Sequence, residues 1–327
     1  MDTIRRVYDF LRTSGWLEPD GVERISFLAA GEYNANYLVD AREGRYVLRV
    51  NHGSQLGLGD AQIAYEYTVL RAVEGSGVTP RVFRCEPQPE GLDGGVLLME
   101  YLEGRPLDYR TDADLAAGIF ARVHAEEPDP RLLVQADPVA AIAEVSLGLI
   151  RRYPDHPMRA ERERLLAYHD EVVRLGERTR ELFADEPLAM VNTEVNSGNF
   201  IIASGRGWLV DWEKAVISHR TQDLGHFLVP TTTLWKTDHR FDGAGRRAFL
   251  EAYAAAARDA GGEALDPERL DAQTRVMERT ILLRALAWCF MAHHEYTMAG
   301  RTLQSEHTFG VIRRYLEGME WILTSVD

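Results

Sequence analysis

Asn192-Thr193-Glu194-Val195-Asn196-Ser197-Gly198-Asn199-Phe200 is the stretch on which the reading of this chain turns. The apolar run 188–191, LAMV, precedes it and reads as a short strand. After it, FIIA, the turn SGRG and the run WLVDW read as a β-hairpin. The nonapeptide is therefore a polar loop held between strands. It carries an acid, Glu194, and five residues on an amide, Asn199, while the second hairpin strand carries Asp211. Taken singly, each has a plain reading as a turn residue. Together they place hard oxygen atoms around one hairpin, and such atoms suit a hard divalent cation.

Outward from the loop, the two halves of the chain differ. After an amphipathic first helix, with Ile4, Val7, Tyr8 and Leu11 at helical spacing, residues 23–50 alternate as three strands with turns at GEYNAN and REGR. A helix follows, with Ile63, Tyr67, Leu70 and Val73 on one face. PRVFRC and GGVLLMEYL add two more strands. Beyond residue 102 the pattern is helical, interrupted only by the hairpin. The fold class expected is α+β: a two-lobed, protein-kinase-like plan. Residues 1–101 form the small sheet lobe. Residues 102–327 form the larger helical lobe, with the loop at 192–199, the hairpin at 200–213 and acceptor-pocket helices behind them. A ligand is expected in the cleft between the lobes.

Composition narrows the function. At 327 residues the chain is long enough for two lobes, and 45% hydrophobic with 27% charged residues is ordinary for a globular protein. A net charge of −14 repels nucleic-acid phosphates, so no nucleic-acid partner is expected. Cys85 and Cys289 give no disulfide framework, the start is not a signal peptide, and the best apolar run, ILLRALAWCFMA, is short and broken by Arg284. A cytoplasmic protein without a membrane partner is the expectation. Lysine occurs only at 214 and 236.

Phosphoryl transfer needs a cation on the phosphates, metal ligands, and a carboxylate near the acceptor hydroxyl. Each has a candidate in chain order. Arg49 on the third strand would hold phosphates, with Glu66 of the following helix as its partner. Gly31 would cover the phosphates, and the main chain of Glu100 and Leu102 would meet the base of the nucleotide. Glu194 would orient and deprotonate the acceptor, and Asn199 and Asp211 would bind the metal. His124 reads as a structural histidine between helices. Adjacent His293 and His294 point in different directions from a helix and read, with Glu295, as packing or surface residues.

In these pieces the chain resembles the aminoglycoside phosphotransferase/choline kinase-like family of small-molecule kinases. The resemblance is carried by AAGEYNANYLV, YVLRV, YEYTVL, PRVF, LLMEYLEGRPL, FARVHA, NTEVNSGNF, LVDWEKA and QDLGHFL, in order over roughly residues 25–227. It implies Mg²⁺ as cofactor, ATP or GTP as co-substrate, and a small-molecule acceptor. It also implies a structural role for Asp223. Three positions depart from the family pattern: Arg49 replaces lysine, Asn192 replaces histidine, and Glu194 replaces aspartate. Glutamate has nearly the same basicity as aspartate but reaches one methylene further. The expected function is therefore transfer of the γ-phosphoryl group to a hydroxyl of a small molecule. The acidic balance and Glu213 suggest a cationic acceptor, an amino sugar or amino alcohol. A nucleotide-binding pseudokinase with a regulatory role, or nucleotidyl transfer, is the alternative.

Overall fold

The computed structural model describes residues 3–18, 20–31, 33–298 and 306–326. It has the α+β, two-lobed, protein-kinase-like plan. The first helix, α1 (Thr3–Ser14), packs Val7, Phe10 and Leu11 inward; Tyr8, which shares their helical spacing, lies at the exposed edge of that face. Five antiparallel strands follow: β1 (Val22–Ala30), β2 (Asn34–Ala41), β3 (Gly44–Asn51), β4 (Val82–Glu86) and β5 (Val96–Glu100), in the order β1-β2-β3-β5-β4. Helix α2 (Gln62–Val73) connects β3 to β4.

The period of two along a strand explains what each sheet face does. Leu48 and Val50 of β3, with Val96 and Leu98 of β5, pack under α1. Their alternates Val47, Leu97 and Met99 pack with Ile63, Val69, Leu70 and Val73 of α2. Arg49 falls on this second face, toward α2 and the cleft. The buried face of α2 in turn includes Glu66, 1% exposed among apolar neighbours.

The second lobe is built on helices α3 (Ala113–His124), α4 (Pro138–Arg151), α5 (Arg159–Thr179), α8 (Gly243–Asp259) and the 31-residue α9 (Pro267–Thr297). Helices α4 and α5 and the later α10 (Glu306–Glu317) pack against α9. The end of the chain is helical, as its pattern implies, and is divided at Gly318 into α10 and α11 (Met319–Leu323). Among the described residues no helix is long and apolar enough to cross a membrane.

Two small ribbons set the loop. Strand β6 (Leu188–Val191) pairs antiparallel with β9 (Val216–His219), a strand that the sequence reading does not contain. Strands β7 (Phe200–Ala203) and β8 (Arg206–Leu209) form the expected hairpin, closed by Ser204 and Gly205 in left-handed conformations. The second hairpin strand ends earlier than expected. Asp211 has φ 66°, which takes the chain out of the extended conformation, so it stands in a turn two residues past β8. Two further helices, α6 (Thr221–Leu228) and α7 (Pro230–Lys236), follow β9 and are interrupted by Pro230. Beneath the ribbons Phe120, Phe200, Phe227 and Phe249 form a ring cluster with centroid spacings of 4.8–6.3 Å.

The connection between α4 and α5 is anchored by His156. It is 1% exposed, stacks on Phe290 at 3.7 Å, bonds the Phe290 carbonyl through Nε2 (2.9 Å), and accepts the Met158 N–H at Nδ1 (3.1 Å). Those bonds use the neutral ring. Burial, with His294 and His293 nearby, pushes its pKa down from 6.5 to about 4. As pH falls the unfolded chain takes the proton first, so this stabilisation is complete above about pH 6.5 and is lost toward pH 4. Denaturant unfolding is expected to show a stability loss of up to about 1.4 kcal/mol per pH unit from this group across that window, a component absent in His156→Gln.

Candidate active site

The registers of the two ribbons bring the site residues together. Val191 of β6 lies opposite Val216 of β9, so the chain just beyond β6 runs beside the chain just before β9. Thr193 Oγ1 donates to the Lys214 carbonyl (3.0 Å) along that line. Phe200 lies opposite Leu209, and the Val210 N–H donates to the Asn199 carbonyl (2.8 Å), which sets Asn199 beside the Asp211 turn.

The loop is then tied down from below. Asp223, at the start of α6 and fully buried, accepts the backbone N–H groups of Asn192 and Thr193, each at 2.8 Å. His124 approaches the same carboxylate at 3.4 Å and bonds Tyr253 at 2.9 Å, the structural role expected for it. Thr193 holds φ 68°, a conformation that β-branched residues avoid at a cost of about 1–3 kcal/mol. Its N–H, hydroxyl and carbonyl are all bonded, the carbonyl accepting from Arg284 of α9 at 3.0 Å. Asn192, in the histidine position of the family pattern, accepts the Glu194 N–H (2.9 Å) and donates to the Asp211 carbonyl (3.0 Å). Asparagine thus links the Glu194 and Asp211 turns directly. Asn199 donates its amide to the Glu194 carbonyl (2.6 Å), which leaves its side-chain oxygen as an acceptor.

Across the cleft, Arg49 pairs with Glu66 and, at 3.1 Å, with Asp211. Its Nε donates to Asn36 (3.1 Å). Burial alone would lower the guanidinium pKa, but Glu66, Asp211 and Glu213 outweigh burial and raise it, so Arg49 remains charged. One cation serving three carboxylates leaves one of them short of a partner. Burial, with Asp211 and Glu66 adjacent, pushes Glu213 up to about 7. Glu213 is bonded by Asn34 of β2, and Gln62 of α2 donates to its carbonyl at 2.7 Å. It faces the sheet lobe and is largely buried, so its charge is not directed at an acceptor; this corrects the use made of it in the sequence reading.

Glu194 has the opposite surroundings. Burial would raise its pKa, but Lys214, which ion-pairs with it, and Arg284 bring it down to about 2. Burial and Arg284 push His226 down to about 3, in keeping with a ring whose Nδ1 faces the Arg284 guanidinium at 3.1 Å.

The structure therefore brings Arg49, Glu66, Glu194, Asn199 and Asp211 into one constellation. Gly31 stands apart in the β1–β2 turn: its φ is not left-handed, and a Cβ there would meet open space, so the local backbone does not require glycine. Glu100 ends β5, its N–H donating to Arg81 and its carboxylate lying near the Arg81 guanidinium, and Leu102 follows where the chain leaves the sheet. His293 and His294 stack on Phe309 and Tyr153, and Glu295 accepts the Tyr153 hydroxyl (2.7 Å), as packing residues do. Sequence reasoning missed Asn34, Gln62, Lys214, Lys236 and Arg284. The signals available were the isolated arginine in an otherwise apolar helix and the scarcity of lysine.

The lobed fold and this constellation define a kinase-like phosphotransferase. A family model described as the phosphotransferase enzyme family (APH) matches residues 24–271, and the chain belongs to that family. It is an enzyme, a small-molecule kinase with a hydroxyl acceptor. No curated protein matches the sequence. Similar solved structures include an ethanolamine kinase of Plasmodium vivax (12% identity, 100% of this chain and 92% of that one, TM-score 0.69). A choline kinase, LicA, of Streptococcus pneumoniae is 16% identical over 98% of this chain and 100% of the other, with TM-score 0.62. The ADP-bound aminoglycoside phosphotransferase APH(2'')-Ib is 15% identical over 97% and 98%, with TM-score 0.56. At these identities the likeness is one of fold.

Arg49 also pairs with Asp211, whereas Glu66 is buried against Arg49, so removing the arginine strands the glutamate. Arg49→Met is expected to cost about 3–5 kcal/mol in chemical unfolding. Glu66→Gln, which keeps a hydrogen-bond acceptor, should cost clearly less.

Proposed function

We propose that this protein moves the γ-phosphoryl group of magnesium ATP, or GTP, to a hydroxyl of a small molecule, with amino alcohols and amino sugars the first acceptors to try. The observation that carries the proposal is the convergence of Glu194, Asn199 and Asp211, from two ribbons, opposite the buried Arg49–Glu66 pair. The division into a sheet lobe ending at Tyr101 and a helical lobe from Leu102 belongs to the same reading, with nucleotide between them.

Asn199 and Asp211 fit a magnesium ion by chemistry. Both offer hard oxygen atoms, the Asn199 amide nitrogen is already committed to the Glu194 carbonyl, and the Asp211 side chain is 32% exposed to the cleft. A bound ion supplies charge neutralisation for the transferring group. Arg49 provides a fixed cation for the phosphates, held in place by Glu66 and Asn36. Gly31 and the main chain of Glu100 and Leu102 would cover and meet the nucleotide. Glu194 orients the acceptor hydroxyl, whose oxygen bonds to the γ-phosphorus as the bond to the ADP oxygen breaks; the proton passes to the Glu194 carboxylate. A carboxylate of such low pKa is a weak base. Its main contribution is orientation, in keeping with a loose transition state in which the proton moves late.

Purified protein with magnesium and ATP or GTP, tested against ethanolamine, choline, amino sugars and neutral sugars, should release ADP and form a phosphorylated acceptor. Glu194→Gln should retain nucleotide binding and lose on the order of 10²-fold or more in rate. Full activity in that variant removes Glu194 from the mechanism. AMP in place of ADP would show nucleotidyl transfer, and absence of nucleotide binding would end the kinase reading of the site.

A further inference from the structure

The chain carries 37 basic residues and only two are lysines, Lys214 and Lys236. Both lie against the loop at 192–199. Lys214 ion-pairs with Glu194, and Lys236, at the end of α7, sets its ammonium group where a Cβ on Gly198 would collide with it. A chain that uses arginine nearly everywhere else, including the phosphate-facing position 49, keeps lysine where the Glu194 carboxylate is ion-paired.

Arginine and lysine treat a carboxylate differently. Arginine presents a planar fork that engages both oxygens at once, whereas an ammonium is a compact point charge. Lys214 contacts Glu194 at Oε1 and shares its remaining donors with Gln55 at 3.1 Å. The contact follows from the β6–β9 register, which runs Lys214 past Thr193 and so brings its side chain to the next residue, Glu194. Glu194 also has one more rotatable bond than the aspartate of the family pattern, and a carboxylate with that freedom orients an acceptor poorly unless something fixes it.

We propose that Lys214 is a positioning residue for Glu194: it holds one carboxylate oxygen and leaves the other for the acceptor hydroxyl, which is what makes a glutamate workable at this position. The inference rests on the reading of Glu194 as the base. An arginine at 214 would pair with the whole carboxylate and block it; a residue without charge would leave it loose.

The test uses the full chain and two readouts. With [ε-¹³C]lysine the protein gives two side-chain resonances, because it has two lysines. Lys214→Met assigns the Lys214 line, and Glu194→Gln should then move it while leaving the Lys236 line in place. If Glu194→Gln leaves the Lys214 line unmoved, the pairing is overturned. In the second readout, ADP release from magnesium ATP is followed with ethanolamine or choline, or with water as acceptor. Lys214→Met and Lys214→Arg should each lower kcat by on the order of 10-fold to 10²-fold with nucleotide affinity unchanged. The cost of Lys214→Met should vanish in a Glu194→Gln background, as expected of a residue that acts only through Glu194. Full activity of either Lys214 variant, a rate increase in Lys214→Met, or an equal cost in the Glu194→Gln background overturns the inference while the kinase reading stands. A parent protein that binds nucleotide and releases no ADP fails the reading of Glu194, and this inference with it.

Discussion

Two backbone N–H groups converging on one buried carboxylate set the geometry of the whole centre. Asp223 accepts from Asn192 and Thr193, and in doing so it turns the chain at Thr193 into a conformation that a β-branched residue does not choose for itself. Charge-assisted bonds to backbone donors are strong enough to offset strain of this size. The turn takes Glu194 off the β6 line, where its carboxylate meets Lys214. Asp223 is itself held by the fold below it, through His124, Tyr253 and the aromatic cluster under the hairpin, so the loop inherits the rigidity of the helical lobe. The side chain of Asn192 carries the constraint onward to the Asp211 carbonyl.

Charge is then distributed unevenly about Asp211. On the sheet-lobe side, Glu66, Asp211 and Glu213 gather on Arg49, and one of the three takes up a proton near neutrality. On the helical-lobe side, Lys214 and Arg284 surround the single carboxylate of Glu194 and keep it ionised far below neutral pH. A nucleotide with its metal would bring both signs of charge into the first half. Around Glu194 the nearest charged groups are an ammonium and a guanidinium, although the whole molecule has a net charge of −14. Overall charge describes the field of the whole molecule; a pocket is decided by the few groups that face it.

What the sequence disclosed was whatever had periodicity or a local motif. The five strands, α2 and the long helices follow from alternation and helical spacing. Arg49, Glu66, Glu194, Asn199 and Asp211 follow from order and spacing along the chain. The missing elements, β9, α6 and α7, are four to eight residues long, too short to display a period, and their existence depends on a partner: β9 forms because β6 is there. The missing residues share that dependence. Lys214 reaches Glu194 only through the β6–β9 register, and Arg284 reaches Thr193 from a helix nearly a hundred residues later, beyond the region that matches the family model. Glu213 was misread because an acid beside Asp211 looks exposed in sequence, whereas Asn34 and Gln62 close over it from the other lobe.

The three departures from the family pattern bear on one another in space. Asn192 donates to the Asp211 carbonyl and also accepts the Glu194 N–H, so one small amide orients both acids. Arg49, with more donors than lysine, reaches Asn36, Glu66 and Asp211 together. Glu194 is longer than aspartate and meets an ammonium group that limits its freedom. Thr193, between Asn192 and Glu194, is held in its strained conformation by bonds to its N–H, hydroxyl and carbonyl, so the turn that carries Glu194 is fixed from three sides. With the backbone fixed there, the position of the Glu194 carboxylate depends on its side-chain torsions, and the ion pair with Lys214 limits these.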